Sequence, residues 1–121
     1  DVLNPNSPKI VMDNNNYALY FSRNMIPFIK GVDVNKLGED TNITDTFPYL
    51  KHIGIYAYRR AVLSEITRLK PSSLEKTEGL EQLRWLQNGY KIKVGLTNIE
   101  TIGIDTPEDL TKATLFLEQS L

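Results

Sequence analysis

The sequence contains no cysteine, one histidine and one tryptophan. Without cysteine there is no disulfide framework, no thiolate metal site and no cysteine nucleophile. This absence accords with the cytoplasm, the expected location, although exported chains can lack cysteine too. No apolar run approaches the roughly 20 residues of a membrane span, and the opening residues do not read as a signal sequence. Charge of one sign is also missing, with 14 Lys plus Arg against 15 Asp plus Glu for a net charge of -1. That balance argues against a broad phosphate-neutralising surface for nucleic acid. What is present is 40% apolar and 9% aromatic content over 121 residues, which suits one folded domain. The expectation is one domain over 1–121.

Strand and helix signals alternate along the chain. Lys9-Ile10-Val11-Met12 precedes the turn cluster Asp13-Asn14-Asn15-Asn16, and the run from Tyr17 to Arg23 follows. Together they predict a β-hairpin. Residues 30–46 show neither helical nor strand periodicity, and a loop of this length is usually functional or mobile; weak order is expected there. His52 to Tyr58 alternates, with Ile53, Ile55 and Ala57 on one face and His52, Gly54, Tyr56 and Tyr58 on the other, as in a half-buried strand. Val62, Ile66 and Leu69 then recur at helical spacing until Pro71.

Ser72 and Glu75 form a capping-box pattern opening a helix expected to run to Asn88-Gly89. Ile92 with Val94, and Ile102 with Ile104, suggest two short strands. Thr106-Pro107-Glu108-Asp109 starts a last helix, whose expected buried stripe is Leu110, Ala113 and Leu117. The order β-β-loop-β-α-α-β-β-α reads as a mixed α/β arrangement.

Four groups of residues can carry chemistry. His52 and Tyr56 on one strand face would have Cα atoms roughly 13 Å apart, with Gly54 leaving room between them for a ligand. The same residues also suit a satisfied buried histidine and a core tyrosine. Ser22-Arg23 ends a strand, where an arginine fork can grip a carboxylate or phosphate, or simply face solvent. Glu75, Glu78 and Gln82 fall on neighbouring positions of one helix, and Glu78 with Gln82 could read sugar hydroxyls; a solvated charged face explains them equally. Asp105 closes a strand before a capped helix, a position suited to ligands and metals, and Mg²⁺ needs only one or two protein carboxylates beside substrate phosphates. A role limited to the following helix N-terminus suits Asp105 equally.

The order of these motifs resembles the 3-deoxy-manno-octulosonate cytidylyltransferases, the CMP-Kdo synthetases. The resemblance is carried by Asn4-Pro5-Asn6 with Lys9, by Tyr17 to Arg23 with Ile26-Pro27, and by His52-Ile53-Gly54-Ile55-Tyr56 with Tyr58-Arg59. It continues through Pro71-Ser72, Leu74-Glu75, Glu78, Leu80-Glu81-Gln82-Leu83-Arg84 and Gly103 to Leu110. It implies the C-terminal part of a mixed, mainly parallel nucleotidyltransferase sheet with flanking helices and a β-hairpin. It further implies a sugar-binding and dimerisation half of a longer enzyme, since the family's glycine- and basic-rich nucleotide loop and a further metal-binding Asp are not found here.

By the same resemblance the complete enzyme transfers CMP from CTP to the acid sugar Kdo for lipopolysaccharide biosynthesis, with Mg²⁺, as a cytoplasmic homodimer without nucleic-acid or membrane partners. Arg23 and Asp105 would be catalytic, with Asp105 a metal ligand. Ser22, Arg23, His52, Tyr56, Glu81 and Gln82 would bind substrate. The helical-face argument prefers Glu78 to Glu81 as acidic reader, so that choice stays open. This chain alone is expected to be inactive, and a stand-alone carbohydrate-binding or dimerisation module is the alternative.

Overall fold

The fold is described from a computed structural model over residues 2–37 and 43–121. The hairpin forms as expected, with β1 at Lys9–Met12 and β2 at Ala18–Ser22, paired antiparallel with a register irregularity between Val11 and Met12. Asp13 builds its turn: Oδ1 accepts from the N–H groups of Asn15 (2.8 Å) and Tyr17 (2.9 Å). Asn16 takes the left-handed conformation at φ 62, which asparagine tolerates better than most residues. A third strand, β3 at Leu50–Lys51, pairs antiparallel with β1, giving the order β2-β1-β3. Every pairing among the described residues is thus antiparallel; none shows the mainly parallel sheet expected for the longer protein.

The expected strand from His52 to Tyr58 does not form. Only the N–H of His52, donated to Pro8 C=O at 2.8 Å, prolongs the β3 pairing. The N–H of Ile55 then bonds to Ile53 C=O at 2.7 Å, a three-residue turn centred on Gly54. A strand needs a neighbour for its backbone groups, and the apolar side of this segment has none among the described residues: Ile55 is 79% exposed. Similarly, Ile92 and Val94 lie beside the start of β2, through Ala18 N–H to Ile92 C=O and Val94 N–H to Asn16 C=O, but make only a single bridge, Tyr17 to Lys93. Ile102 and Ile104 form no strand.

Helix α1 spans Arg60–Ile66. The single helix expected after Ser72 is two, α2 at Ser73–Glu78 and α3 at Gln82–Gln87. The capping box of Ser72 and Glu75 is present. The break is at Gly79, whose φ of 64 places it in the left-handed region while its N–H closes onto Glu75 C=O. A glycine adopts this geometry at little cost, and it ends a helix. The expected C-terminal cap after α3 is present: Gly89 has φ 85 and Tyr90 N–H reaches back to Trp85 C=O at 3.0 Å.

The core is small. Ile10, Phe21, Leu80 and Leu83 form it, with Tyr20, Leu50, Leu86, Ile92 and Val94 packed around. α2, α3 and the sheet therefore make one unit, α3 lying on β2. In residues 30–46 two short 3₁₀ turns occur, Val34–Lys36 and Ile43–Asp45, while 38–42 lie outside the described residues. The last helix, α4 at Pro107–Ser120, has its expected cap, with Thr106 and Asp109 in a capping box. Its stripe is not buried: Leu110 and Leu117 are 55% and 60% exposed. An amphipathic helix buries its stripe only where another element covers it, and none of the described residues does.

Candidate functional site

Two side-chain clusters flank the core. In the first, β2 ends in Ser22 and Arg23 beside the end of α2. Ser22 Oγ donates to Glu78 Oε1 at 2.7 Å, and Arg23 N–H donates to Glu78 Oε2 at 3.0 Å. The Arg23 guanidinium donates to three backbone carbonyls, from Nε to Glu78, from Nη1 to Pro5 and from Nη2 to Gly79. A guanidinium has five N–H bonds, so two have no partner among the described residues. Buried Lys9 Nζ donates to Asn4 C=O and to Arg23 C=O at 2.6 Å. Burial lowers its pKa, while the Glu78 carboxylate opposes that shift.

The second cluster is aromatic. The turn at Gly54 brings His52 and Tyr56 together, with Nε2 and the phenol oxygen 2.6 Å apart; an extended strand would hold them well apart. The His52 ring meets the edge of Phe21 at 5.3 Å, and Tyr56 and Tyr58 both pack edge-on against Trp85 of α3. Burial raises the Tyr56 pKa, helped by Tyr58 and by the negative charge of Glu81. Burial raises Tyr58 too, and the negative charge of exposed Glu81 adds to the shift. Gln82 is only 5% exposed and its Nε2 has no hydrogen-bond partner among the described residues. A buried amide N–H left unpaired costs about 1–3 kcal/mol.

The rings open onto a groove of about 1300 Å³, bounded by residues of 49–59 on one side and 90–101 on the other. Beside Gly54 there is open space where a side chain would otherwise stand. Lys51, Arg59, Lys91 and Lys93 line the groove together with one acid, Glu100.

Of the residues singled out in the sequence, Ser22 and Arg23 are tied together through Glu78. His52 and Tyr56 form one pair, packed through Tyr56 against Trp85 of α3, the helix that Gln82 opens. Asp105 stands apart from both clusters. It is exposed, its N–H donates to Asp109 Oδ2, and its carboxylate has no partner among the described residues. Glu78, weighed as a reader of sugar hydroxyls, has both oxygens on β2. Sequence reasoning did not foresee that brace or the joining of Tyr58 and Trp85. The i, i+2 spacing of Tyr56 and Tyr58 was the available signal for a shared face, but their docking on α3 depends on the turn at Gly54.

His52 is the sequence's single histidine, and burial lowers its pKa from 6.5. The unfolded chain binds a proton there at about pH 6.5 while the folded chain resists it, so stability rises with pH through this window. The contribution is complete above the unfolded value and is lost as pH falls below it toward the folded value. Urea midpoints at pH 7.5 and 5.5 are expected to show lower stability at 5.5, with this difference reduced in His52→Gln. An equal difference in both proteins would assign the effect elsewhere. The depressed carboxylates Glu75 and Asp109 act in a separate window, below their ordinary values.

Comparison with known proteins agrees with the sequence pattern. The cytidylyltransferase family profile matches residues 1–92. A 3-deoxy-manno-octulosonate cytidylyltransferase of Parabacteroides distasonis is 58% identical over 96% of this chain and 44% of its own length. One from Bacteroides thetaiotaomicron is 59% identical over 95% of this chain, again covering 44% of the relative. Among solved structures, a CMP:2-keto-3-deoxy-manno-octonic acid synthetase complexed with CTP superposes with a TM-score of 0.73 at 36% identity. That match covers 99% of this chain and 45% of the other. The chain therefore spans less than half the length of the relatives it matches, and its sequence and fold together place it in the cytidylyltransferase family.

Proposed function

We propose that this chain is the sugar-side portion of a 3-deoxy-manno-octulosonate cytidylyltransferase. The observation that carries this is 58% identity across nearly the whole chain to a protein of that name. The structural neighbour was solved with CTP, which supports CTP as the nucleotide substrate. In the proposed reaction the anomeric hydroxyl oxygen of Kdo attacks the α-phosphorus of CTP. The bond from that phosphorus to the bridging oxygen of the β-phosphate breaks, pyrophosphate leaves, and the hydroxyl proton passes to solvent or a base of the complete enzyme. CMP-Kdo is the product.

The chain's own residues would supply position and charge. Arg23 would offer its two remaining N–H bonds to the sugar acid or a phosphate, with Ser22 beside it. The His52–Tyr56 pair would wall the sugar, and Glu81 and the unpaired Gln82 amide would read its hydroxyls. Glu81 fits the acidic reader better than Glu78, whose carboxylate is occupied.

Asp105 would contribute one carboxylate to Mg²⁺. The described residues contain no group of three His, Asp or Glu side chains able to hold a metal, so the remaining ligands would be substrate phosphates and the rest of the longer protein. When bound, the ion would offset developing phosphate charge.

The exposed segment from Leu96 to Leu121, which carries Asp105, would be covered by the rest of the longer protein, where the mainly parallel sheet would also lie. The apolar side of 52–58 would find its strand partner there too. Homodimeric assembly belongs to this reading through the family resemblance. The use of CTP favours the cytoplasm, and no described helix is long and apolar enough to cross a membrane.

Pyrophosphate release tests the proposal. The longer protein is expected to release it from CTP only when Kdo is present, and the 121-residue chain alone is expected to release none. In amide NMR of this chain, Kdo should shift Ser22, His52, Tyr56 and Gln82, with little response to CTP. A longer protein that leaves CTP intact in the presence of Kdo would overturn the proposed activity.

A further inference from the structure

We propose that Glu78 is a positioning residue for the acid-sugar side of the site, acting through Ser22 and Arg23; this rests on the cytidylyltransferase reading above. One carboxylate at the end of α2 fixes the end of β2, 55 residues away in sequence, with its two oxygens on different groups. Oε1 takes the Ser22 hydroxyl and Oε2 the Arg23 N–H. The backbone repeats the grip, since Glu78 C=O and Gly79 C=O accept from Arg23 Nε at 2.6 Å and Nη2 at 3.1 Å.

These carbonyls are available because the last carbonyls of a helix lack intrahelical donors and carry partial negative charge. The left-handed turn at Gly79 ends α2 at this point. Around Gly79 the guanidinium packs closely: a Cβ there would stand 3.6 Å from Arg23 Nη2. Lys9 completes the brace by holding Arg23 C=O. The hydroxyl, amide, carbonyl and guanidinium of the Ser22–Arg23 pair are thus all fixed, and the guanidinium keeps two N–H bonds for a ligand.

The side-chain brace uses two charged acceptors at glutamate length. Glutamine keeps the length and can still accept from Arg23 N–H while its NH₂ donates to Ser22 Oγ, but it removes the negative charge, and charge-assisted hydrogen bonds are roughly twice as strong as neutral ones. Aspartate keeps both acceptors on a shorter stem. Either change should loosen the Ser22 hydroxyl and the Arg23 amide, while the backbone-carbonyl contacts of the guanidinium and the aromatic cluster around His52 and Tyr56 stay in place.

The test uses the longer protein with Glu78→Gln and Glu78→Asp, measuring pyrophosphate release and, by equilibrium dialysis, binding of Kdo. Glu78→Gln is expected to raise the KM for Kdo about tenfold, on the scale of exchanging charge-assisted hydrogen bonds for neutral ones. KM for CTP and kcat should stay within about twofold, the signature of lost substrate binding. Glu78→Asp should recover part of the Kdo KM. A lowered melting midpoint with an unchanged Kdo KM would reduce Glu78 to a structural brace and overturn the proposal, leaving the assigned activity intact. A wild-type protein that binds Kdo but releases no pyrophosphate would overturn the activity, and weaker Kdo binding by Glu78→Gln would then still support positioning. Wild-type protein that neither binds nor turns over Kdo would overturn both.

Discussion

Leu83→Ala is expected to lower the unfolding free energy of this chain by about 2–5 kcal/mol, read as a shift of its urea midpoint at unchanged slope. Leu83 is 0% exposed and belongs to a buried cluster with only three other members, Ile10, Phe21 and Leu80. Truncation removes its contacts and leaves a cavity that β2 and α3 can fill only by moving. Small domains have total stabilities of about 5–15 kcal/mol, so this loss is a large part of the whole. Leu117→Ala provides the contrast. Its side chain is 60% exposed, and the expected change in this chain is within about 0.5 kcal/mol. Equal losses for the two variants would mean that α4 packs on the core and that the cluster around Leu83 is not the centre of stability.

The second large effect concerns turnover. If Asp105 helps hold Mg²⁺ as proposed, Asp105→Asn in the longer protein is expected to slow pyrophosphate release by about 100-fold or more, because the ion it would hold supplies several kcal/mol of transition-state charge stabilisation. Raised Mg²⁺ should restore part of the rate, since the amide oxygen remains a weaker ligand. The melting midpoint should hardly change, because the carboxylate is exposed and has no partner among the described residues. The competing role, favouring the helix N-terminus of α4, would give the opposite pattern: a small stability loss with normal turnover. That outcome would remove Asp105 from the metal site.

Much of the local structure was legible because its causes are local. The Asp13–Asn16 turn, both capping boxes and the cap at Gly89 each depend on a few adjacent residues, and all formed where their residue types predicted. The strand expected over His52–Tyr58 did not form, although its alternation was clear. Alternation describes which side can be buried, but it supplies no neighbouring strand to accept the backbone hydrogen bonds. The uninterrupted helix after Ser72 failed for a local reason, since Gly79 carries a left-handed turn that the apolar pattern around it concealed. The bare stripe of Leu110 and Leu117 is again a matter of partners, as amphipathicity predicts burial only where a covering surface exists.

The candidate site divides in the same way. The residue types and their spacing selected Ser22, Arg23, His52, Tyr56, Glu78, Gln82 and Asp105 as candidates; Glu81 entered only through the resemblance to the CMP-Kdo synthetases, which the order of the motifs indicated. Tertiary structure alone decided that Glu78 grips β2 and that His52 touches Tyr56. It also left the Gln82 amide N–H buried with no acceptor among the described residues. Helix caps and turns follow from neighbours in the chain. A carboxylate's partner 55 residues away follows from how α2 and β2 pack, and no spacing within either element specifies it.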